Sequence, residues 1–585
     1  MIATSTPPEW VLHPRSHPQS ALLLARDLEA PPAIGHWLVN RGLADPARAR
    51  QFLSPVLEDL HDPMRLLGLD RALERIQRAI AHHERILVQG DYDVDGITST
   101  YLLHTAISDL GGNVRWRIPH RTRDGYGLTS GAVDEAQRAG CTLIVTVDCG
   151  ITAVEPVARA RALGIDTVIT DHHEPPLVLP AACAVVNPLQ PGCGYPFKSL
   201  AGVGVTFKLV EALLREGGRG RRAEDFLEVV ALGTIADVVP LVGENRILAT
   251  LGLERLNRTG HLGLRALLER ANLAGRRVSS GQVAFVLAPR INAAGRMGDA
   301  SQALRLLLAR DEGEARACAE SLEDDNERRR AFDGAAAIQA AERVEKELGW
   351  PDCASILLWS EDWHPGVLGI VASRLVERFQ RPTLLVALDG DRGRGSGRSL
   401  PGLDLIRVLD GCGDLLEAYG GHALAAGITV TRDRLPELRE RLERLVRERV
   451  SPGDLVRKLE FDCPLSLAEC DQALVEWVDR LAPHGLDNPE PLYHLPHAEV
   501  VSTSVVGGGK HLRLTVRDGT AVAEAIGFGM GGEAEAVRQA GVCSILFVPT
   551  RNEWNGASRL QLKLKGIRRP AEPFASAEGP EGGSR

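Results

Sequence analysis

The chain has 585 residues, 44% of them apolar and 25% charged, with a net charge of −9. That length exceeds what one hydrophobic core usually organises and implies two to four domains of roughly 100–200 residues each, while the composition is that of an ordinary globular protein and excludes a fibrous or wholly disordered chain. No apolar stretch approaches the roughly 18 residues of a membrane span, and the acidic balance argues against a chain uniformly adapted to nucleic-acid phosphates without excluding a local basic groove.

Residues 1–66 are Pro-punctuated with short helical patterns and predict an N-terminal extension packed on the remainder of the chain. The opening "MIATSTPPEW" lacks the basic-then-apolar pattern of a signal peptide, so a cytoplasmic location is expected. Over 67–310, the helical spacing of "DRALERIQRAI" is followed by strand signals in "RILVQG", "NVRWRIP", "CTLIVTVD", "DTVITD" and "CAVVNP", separated by helical patterns. The alternation predicts an α/β domain with a mostly parallel sheet, covered by helices on both faces. Residues 311–348 are charged, rich in Ala and nearly free of breakers, which predicts a long connecting helix. Strand and helix signals resume over 349–450 as a second α/β lobe, and short β-like runs over 459–568 predict a small β-barrel. Residues 569–585 have the composition of a disordered tail. The ten cysteines form no C-x-x-C pair and read as reduced core residues, supporting neither a zinc site nor a disulfide framework.

Asp91, Asp93, Asp95 and Gly96 in "GDYDVDGITSTYLL" match the start of an EF-hand loop, but Leu102 stands where the bidentate Glu is required. The preceding apolar run suits a buried strand, so these acids lie at a strand end. Asp148 ends a second predicted strand, Asp171, His172 and His173 end a third, and Asp237 falls inside the apolar run "ALGTIADVVP". In parallel sheets, ligands gather outside the carboxyl ends of strands. A lone Asp there is more often a helix cap, but acids repeated at several strand ends imply a shared cation, because an unpaired buried carboxylate is very costly. Carboxylates with imidazoles suit Mn²⁺ or Mg²⁺, and about six such groups suit two ions roughly 3.5–4 Å apart.

On these motifs the sequence resembles the DHH phosphoesterase superfamily, named for the triplet Asp171, His172 and His173. The resemblance extends to its RecJ type, single-stranded-DNA-specific 5′-to-3′ exonucleases, through "RDGYGLT", "ALGTIADVVPL", "PRINAAGRMG", "WHPGVLGIVASRL", "GRGSGRS", "GGHALAAG" and "LAPHGLDNPEP", in order from about Asp70 to Arg568. It implies a DHH domain, a connecting helix, a DHH-associated lobe for substrate and a C-terminal OB-fold. The metal ligands it implies are Asp93, Asp95, Asp148, His172 and Asp237, with Asp91 and His173 close by; His172, His173 and Asp148 are the expected catalytic residues. Some relatives carry His where Gln89 stands here.

A 5′-end device is expected in "GRGSGRS", whose glycines would let backbone amides form an anion nest beside Ser396 and Arg398. Arg121, Arg290 and Arg296 are further phosphate candidates. Tyr126 is a candidate for stacking on a base. His364 and His422 are candidates for substrate binding in the second lobe, and Lys510 and Arg513 for gripping the strand on the barrel. Competing expectations are a DHH phosphodiesterase acting on small nucleotides or oligoribonucleotides, and a DNA-binding scaffold without catalysis. Single-stranded DNA is the expected partner, no membrane is expected, and the resemblance alone implies single-strand-binding protein and recombination repair factors. With no interface pattern in the sequence, a monomer is expected.

Overall fold

A computed structural model describes residues 8–121, 123–217, 221–554 and 557–570. Most of the expected tail, from residue 571, lies outside the described residues. The chain divides into two bodies: Ser54–Ala335 with Pro483–Pro489 forms one, and the segments up to Leu53, Ala336–Ala482 and from Glu490 onward form the other. The boundary falls inside the expected long helix, which runs over Glu312–Glu347. Asp311 accepts the Glu314 N–H at 2.9 Å at its start, and Lys346 lies in its last turn, both favourable to the helix dipole.

The first strand, β1 (Glu9–Leu12), belongs to the segments up to Leu53. The next five build the body Ser54–Ala335: β2 (Arg85–Gln89), β3 (Asn113–Arg117), β4 (Leu143–Val147), β5 (Asp166–Thr170) and β6 (Ala184–Val186). They form one sheet in the order β3-β2-β4-β5-β6, all pairs parallel. Side chains alternate between two apolar faces. Ile86, Val88, Leu143, Val145, Val147 and Val168 join the cluster that includes Val94, Ile97, Val203 and Val230. Leu87, Ile144 and Ile169 join Ala132, Val133, Val157 and Ala160. Burial on both faces is why these strands read as continuous apolar runs. The strand order reverses between β2 and β4, so the crevice at their carboxyl ends is a topological switch point, where sheets of this kind bind ligands.

In the other body, β7 (Ile356–Ser360), β8 (Thr383–Asp389), β9 (Arg392–Arg398), β10 (Ala418–His422) and β11 (Ala425–Thr431) form a mixed sheet in the order β10-β11-β9-β8-β7. The expected nest in "GRGSGRS" is corrected here. The run is β9, paired antiparallel with both β8 and β11, so its backbone amides belong to the ladder. A Cβ on Gly393, Gly395 or Gly397 would lie 2.4–2.7 Å from Val386, Ile428 or Leu384. The glycines therefore let the neighbouring strands' side chains close over one face, while Arg394, Ser396 and Arg398 alternate onto the other.

After β12 (Lys458–Phe461) and β13 (Cys463–Pro464), the strands β14 (Tyr493–Val506), β15 (His511–Asp518), β16 (Ala521–Gly527), β17 (Val542–Trp554) and β18 (Ala557–Arg568) close a five-stranded barrel. Closure comes from the β14–β17 pairing and the parallel β16–β18 pairing, and the result is an OB-type fold. The N-terminal segment packs with this barrel: β1 pairs parallel with β12, and Trp37 and Leu38 share a core with Tyr493, Phe547 and Leu512.

Candidate metal centre

The carboxyl ends of β2, β4 and β5 bring the predicted acids together. Asp93 caps the helix Val94–Asp109, its Oδ1 accepting the Gly96 N–H at 3.0 Å, so it serves as a helix cap while also lining the crevice. Asp95 accepts the N–H groups of Gly202 at 2.7 Å and Val203 at 2.8 Å. These are the first amides of the helix Gly202–Gly217, a favourable place for a carboxylate. Asp148 takes a left-handed conformation (φ 57°). Asp237 ends the helix Leu227–Ala236.

These groups surround one imidazole nitrogen. His172 Nε2 lies 3.2 Å from Asp148 Oδ1, 3.6 Å from Asp237 Oδ2 and 3.8 Å from Asp95 Oδ2. Ligand atoms of Asp95, His172 and Asp237, and those of Asp148, His172 and His173, fall within 4.8 Å of one another. Burial, with the charge of Asp93 added, pushes the Asp95 carboxyl up to about 7. Burial and neighbouring carboxylates also raise Asp91, Asp148 and Asp237 well above the usual range. Burial and the adjacent His173 hold His172 down to about 4, leaving a neutral ring able to offer a lone pair. Asp91 Oδ1, Asp148 Oδ1, Asp237 Oδ2 and His172 Nε2 are all buried without a hydrogen-bond partner. So many hard oxygen acceptors converging on one neutral imidazole fit a divalent ion of the Mn²⁺ or Mg²⁺ type.

The first Asp of the triplet has another task. Asp171 Oδ1 lies 2.7 Å from His173 Nδ1 and accepts the N–H groups of His172 and His173, while Oδ2 accepts the Ile151 N–H at 2.9 Å. Burial opposes charge on His173, but the bond to Asp171 and its charge outweigh it and raise His173 above its ordinary value. The two histidines are thus pushed in opposite directions.

This charge balance predicts a pH effect. Above about pH 6.5, the raised carboxyls and His173 bind more protons folded than unfolded, so stability falls as pH rises through their folded values. The depressed His172 works the other way only below that pH. In EDTA, the melting temperature should fall between pH 6.5 and 8, and Mn²⁺ should remove most of that fall; calorimetry across pH measures both.

Beside the carboxylates lies a cavity of about 300 Å³ lined by Asp93, Asp95, Asp237, Asn292, Arg121 and Arg296, among others. The Arg121 guanidinium sits 4.9 Å over the Tyr92 ring. Arg290 is placed differently from the expectation: its guanidinium is paired with Glu323, with Nη2 3.1 Å from Oε1, and Nη1 donates to the Val286 carbonyl. A cation already committed to a carboxylate is a poor phosphate ligand. Tyr126 reaches the centre through its hydroxyl, which donates to the Asp148 carbonyl at 3.3 Å and lies 3.3 Å from His173 Nδ1. Gln89 is buried, its Nε2 donating to the Gly90 carbonyl at 2.8 Å.

The remaining candidate residues lie in the other body. Arg398 Nη1 donates to Ser396 Oγ at 3.2 Å and to the Gly397 carbonyl. A Cβ on Gly369 would meet Arg398 Nη2 at 2.7 Å and Ser396 Oγ at 3.1 Å, so this glycine lets both groups approach the helix Leu368–Phe379. His364 Nδ1 accepts the Gly366 N–H at 3.1 Å, His422 is exposed at the end of β10, and Lys510 is exposed in the β14–β15 turn. Arg513, on the outer side of β15, lies 3.5 Å from Glu524.

Residues 85–234 match the DHH family, N-terminal domain; 353–448 match the DHHA1 domain; and 461–566 match the RecJ OB domain. The single-stranded-DNA-specific exonuclease RecJ of Bacillus subtilis (strain 168) is 38% identical over 545 residues, covering 93% of this chain and 68% of that protein. The chain belongs to the RecJ family. RecJ of Escherichia coli (strain K12) is 38% identical over 83% of this chain and 87% of its own length. A crystal structure of RecJ from Thermus thermophilus in complex with Mn²⁺ superposes with a TM-score of 0.82 at 32% identity, covering 96% of this chain and 80% of that one. A second, in complex with Mg²⁺, gives 0.76 at 30%, covering 96% and 79%.

For a RecJ-family chain, some residues at this centre escaped the sequence reading. Asn292 lines the cavity and its Oδ1 accepts the Val94 N–H at 3.2 Å. It stands inside the quoted "PRINAAGRMG" but carries no charge to draw notice. The structural work of Asp171, and the glycines that let the carboxylates approach one another, depend on long-range packing. Among the described residues, no helix is long and apolar enough to cross a membrane.

Proposed function

We propose that this chain is a metal-dependent exonuclease that digests single-stranded DNA from the 5′ end and releases mononucleotides in DNA recombination and repair in the cytoplasm. The observation that carries the reading is the convergence of buried Asp95 and Asp148 with half-buried Asp237 and His172 beside a cavity lined by Arg121 and Arg296. Asp93, Asp95, Asp148, His172 and Asp237, with Asp91, would hold two Mn²⁺ or Mg²⁺ ions, whose chemistry is charge neutralisation at the phosphoryl oxygens and a more acidic water. Arg121 and Arg296 orient the phosphate through charge-assisted hydrogen bonds. His172, held neutral, serves as a ligand. His173, whose Nδ1 bond to Asp171 favours the protonated ring, donates from Nε2 to the scissile phosphate or its leaving oxygen.

That role predicts a pH signature. If the protonated His173 is the working form, activity falls as pH rises through its raised value. Asp171→Asn removes the charge that raises it, so the falling limb should move to lower pH in single-turnover assays. An unmoved limb would reject the donor role.

Domain limits at 67–310, 311–348, 349–450 and 459–568 belong to the same proposal, as do substrate contacts by Ser396, Arg398, His422 and Lys510 and association with single-strand-binding protein and repair factors. The functional test is to compare a single-stranded oligonucleotide, its duplex and a dinucleotide as substrates with Mn²⁺. Rapid loss of the single strand alone supports the reading. Preference for the dinucleotide indicates a small-nucleotide phosphodiesterase, and DNA binding without turnover indicates a scaffold.

A further inference from the structure

The segment Pro483–Pro489 is part of the motif "LAPHGLDNPEP". In the chain it lies between the helix Gln472–Leu481 and β14, both in the barrel's body, yet it folds into the body of the metal centre. It closes on itself: Gly485 and Asn488 exchange backbone hydrogen bonds at 3.0 and 3.2 Å, and the fully buried Asn488 donates Nδ2 to the Pro483 carbonyl at 2.7 Å. Two carbonyls of this compact loop bond outward. The Leu486 carbonyl accepts the Leu241 N–H at 2.8 Å, and the His484 carbonyl accepts Ser280 Oγ at 2.7 Å.

Both bonds fall on segments that lead into the metal centre or its cavity. Leu241 is four residues beyond Asp237, and Ser280 begins the helical stretch whose next elements are a π-turn over Val283–Leu287 and the helix Ala288–Met297 carrying Asn292 and Arg296. The link from Asp237 to Leu241 is strained, because Val238 adopts φ 60°, a left-handed conformation that a β-branched side chain disfavours. Among the described residues, Val238 is the one β-branched residue with positive φ. Val238 is 64% exposed, so burial does not account for it. Strain of this kind persists only where the surroundings over-determine it. Two contacts do so here: Asn245 Nδ2 donating to the Pro240 carbonyl at 3.1 Å, and Leu241 bonding Leu486.

The bland reading is that the loop simply covers Leu241, since a Cβ on Gly485 would lie 2.7 Å from Leu241 Cδ1. Cover alone would not require a second anchor at Ser280. We infer that Pro483–Pro489 is a positioning strap, which holds the strained Asp237–Leu241 turn and, at Ser280, the beginning of the helical stretch that leads to Asn292 and Arg296. The inference rests on Asp237 being a metal ligand.

The test uses the full chain and Mn²⁺ alone, with binding followed by electron paramagnetic resonance, beside kcat and KM on single-stranded DNA. Asn488→Ala should weaken Mn²⁺ binding about 10-fold or more and lower kcat with little change in KM. Ser280→Ala, which removes one hydrogen bond and should fold normally, should do the same to a smaller extent. Unchanged Mn²⁺ affinity in Ser280→Ala and in folded Asn488→Ala overturns the strap, whatever happens to melting temperature or KM. Asp237→Asn is the control. If it leaves Mn²⁺ binding intact, the ligand assignment has failed; if it abolishes binding while both strap variants bind normally, the strap alone has failed.

Discussion

Asp148→Asn should lower exonuclease turnover by more than about 100-fold, because even partners outside a metal's own ligand set typically contribute 10–100-fold, and Asp148 Oδ1 is the carboxylate atom closest to His172 Nε2 at 3.2 Å. The same substitution should raise the melting temperature of the EDTA-treated protein at pH 8. Asp148 is buried among Asp95, Asp93 and Asp237, and burial together with their charges raises its carboxyl well above the usual range. Removing one charge from such a group relieves repulsion that only a cation otherwise offsets. A site that loses function while its metal-free form gains stability is hard to explain as packing. Turnover and calorimetry on the same preparation measure the two halves. Lower stability in EDTA would show that Asp148 is structural.

Gly202→Ala should be comparably damaging although no functional atom is removed. A Cβ on Gly202 would stand 2.5 Å from Asp148 Oδ1 and 2.7 Å from its Cβ, and the Gly202 N–H itself donates to Asp95 Oδ2. Overpacking usually costs about 1–3 kcal/mol. Here the atoms that must move are two carboxylates of the centre. We expect weaker Mn²⁺ binding and a loss of turnover approaching that of Asp148→Asn, with the helix Gly202–Gly217 intact by circular dichroism. Near-normal metal affinity would mean that the centre tolerates displacement of Asp148 and Asp95. Gly204→Ala is the matched control, because there the atoms nearest a Cβ are those of the Leu200 side chain, the first at 3.2 Å.

Much of this centre was legible because parallel strands buried on both faces leave a plain apolar signature, and charged residues at the ends of such runs stand out. The strands β2, β4 and β5 and the residues Asp91, Asp95, Asp148 and His172 follow from that contrast, whereas Asp237 ends a helix and stands out only as an acid within the apolar run "ALGTIADVVP". "RGRGSGR" misled for the opposite reason. Glycine is a weak strand former, so three glycines suggested a loop, although their strict alternation with Arg and Ser carries the strand period of two. Arg290 and Arg296 are six residues apart on the helix Ala288–Met297, a spacing that sends them to different faces at roughly 100° per residue; one meets Glu323 and the other lines the cavity. The parallel pairing of β1 with β12 joins distant parts of the chain, and no local pattern announces it.

The central claim is that this constellation drives metal-dependent hydrolysis from a 5′ end. The most direct measurement is a time course on single-stranded DNA labelled at the 5′ or the 3′ end in separate reactions, with Mn²⁺ or with EDTA. The account predicts immediate release of labelled mononucleotide from the 5′ label, delayed release from the 3′ label, and none in EDTA. Immediate release from the 3′ label, or release that persists in EDTA, would contradict it.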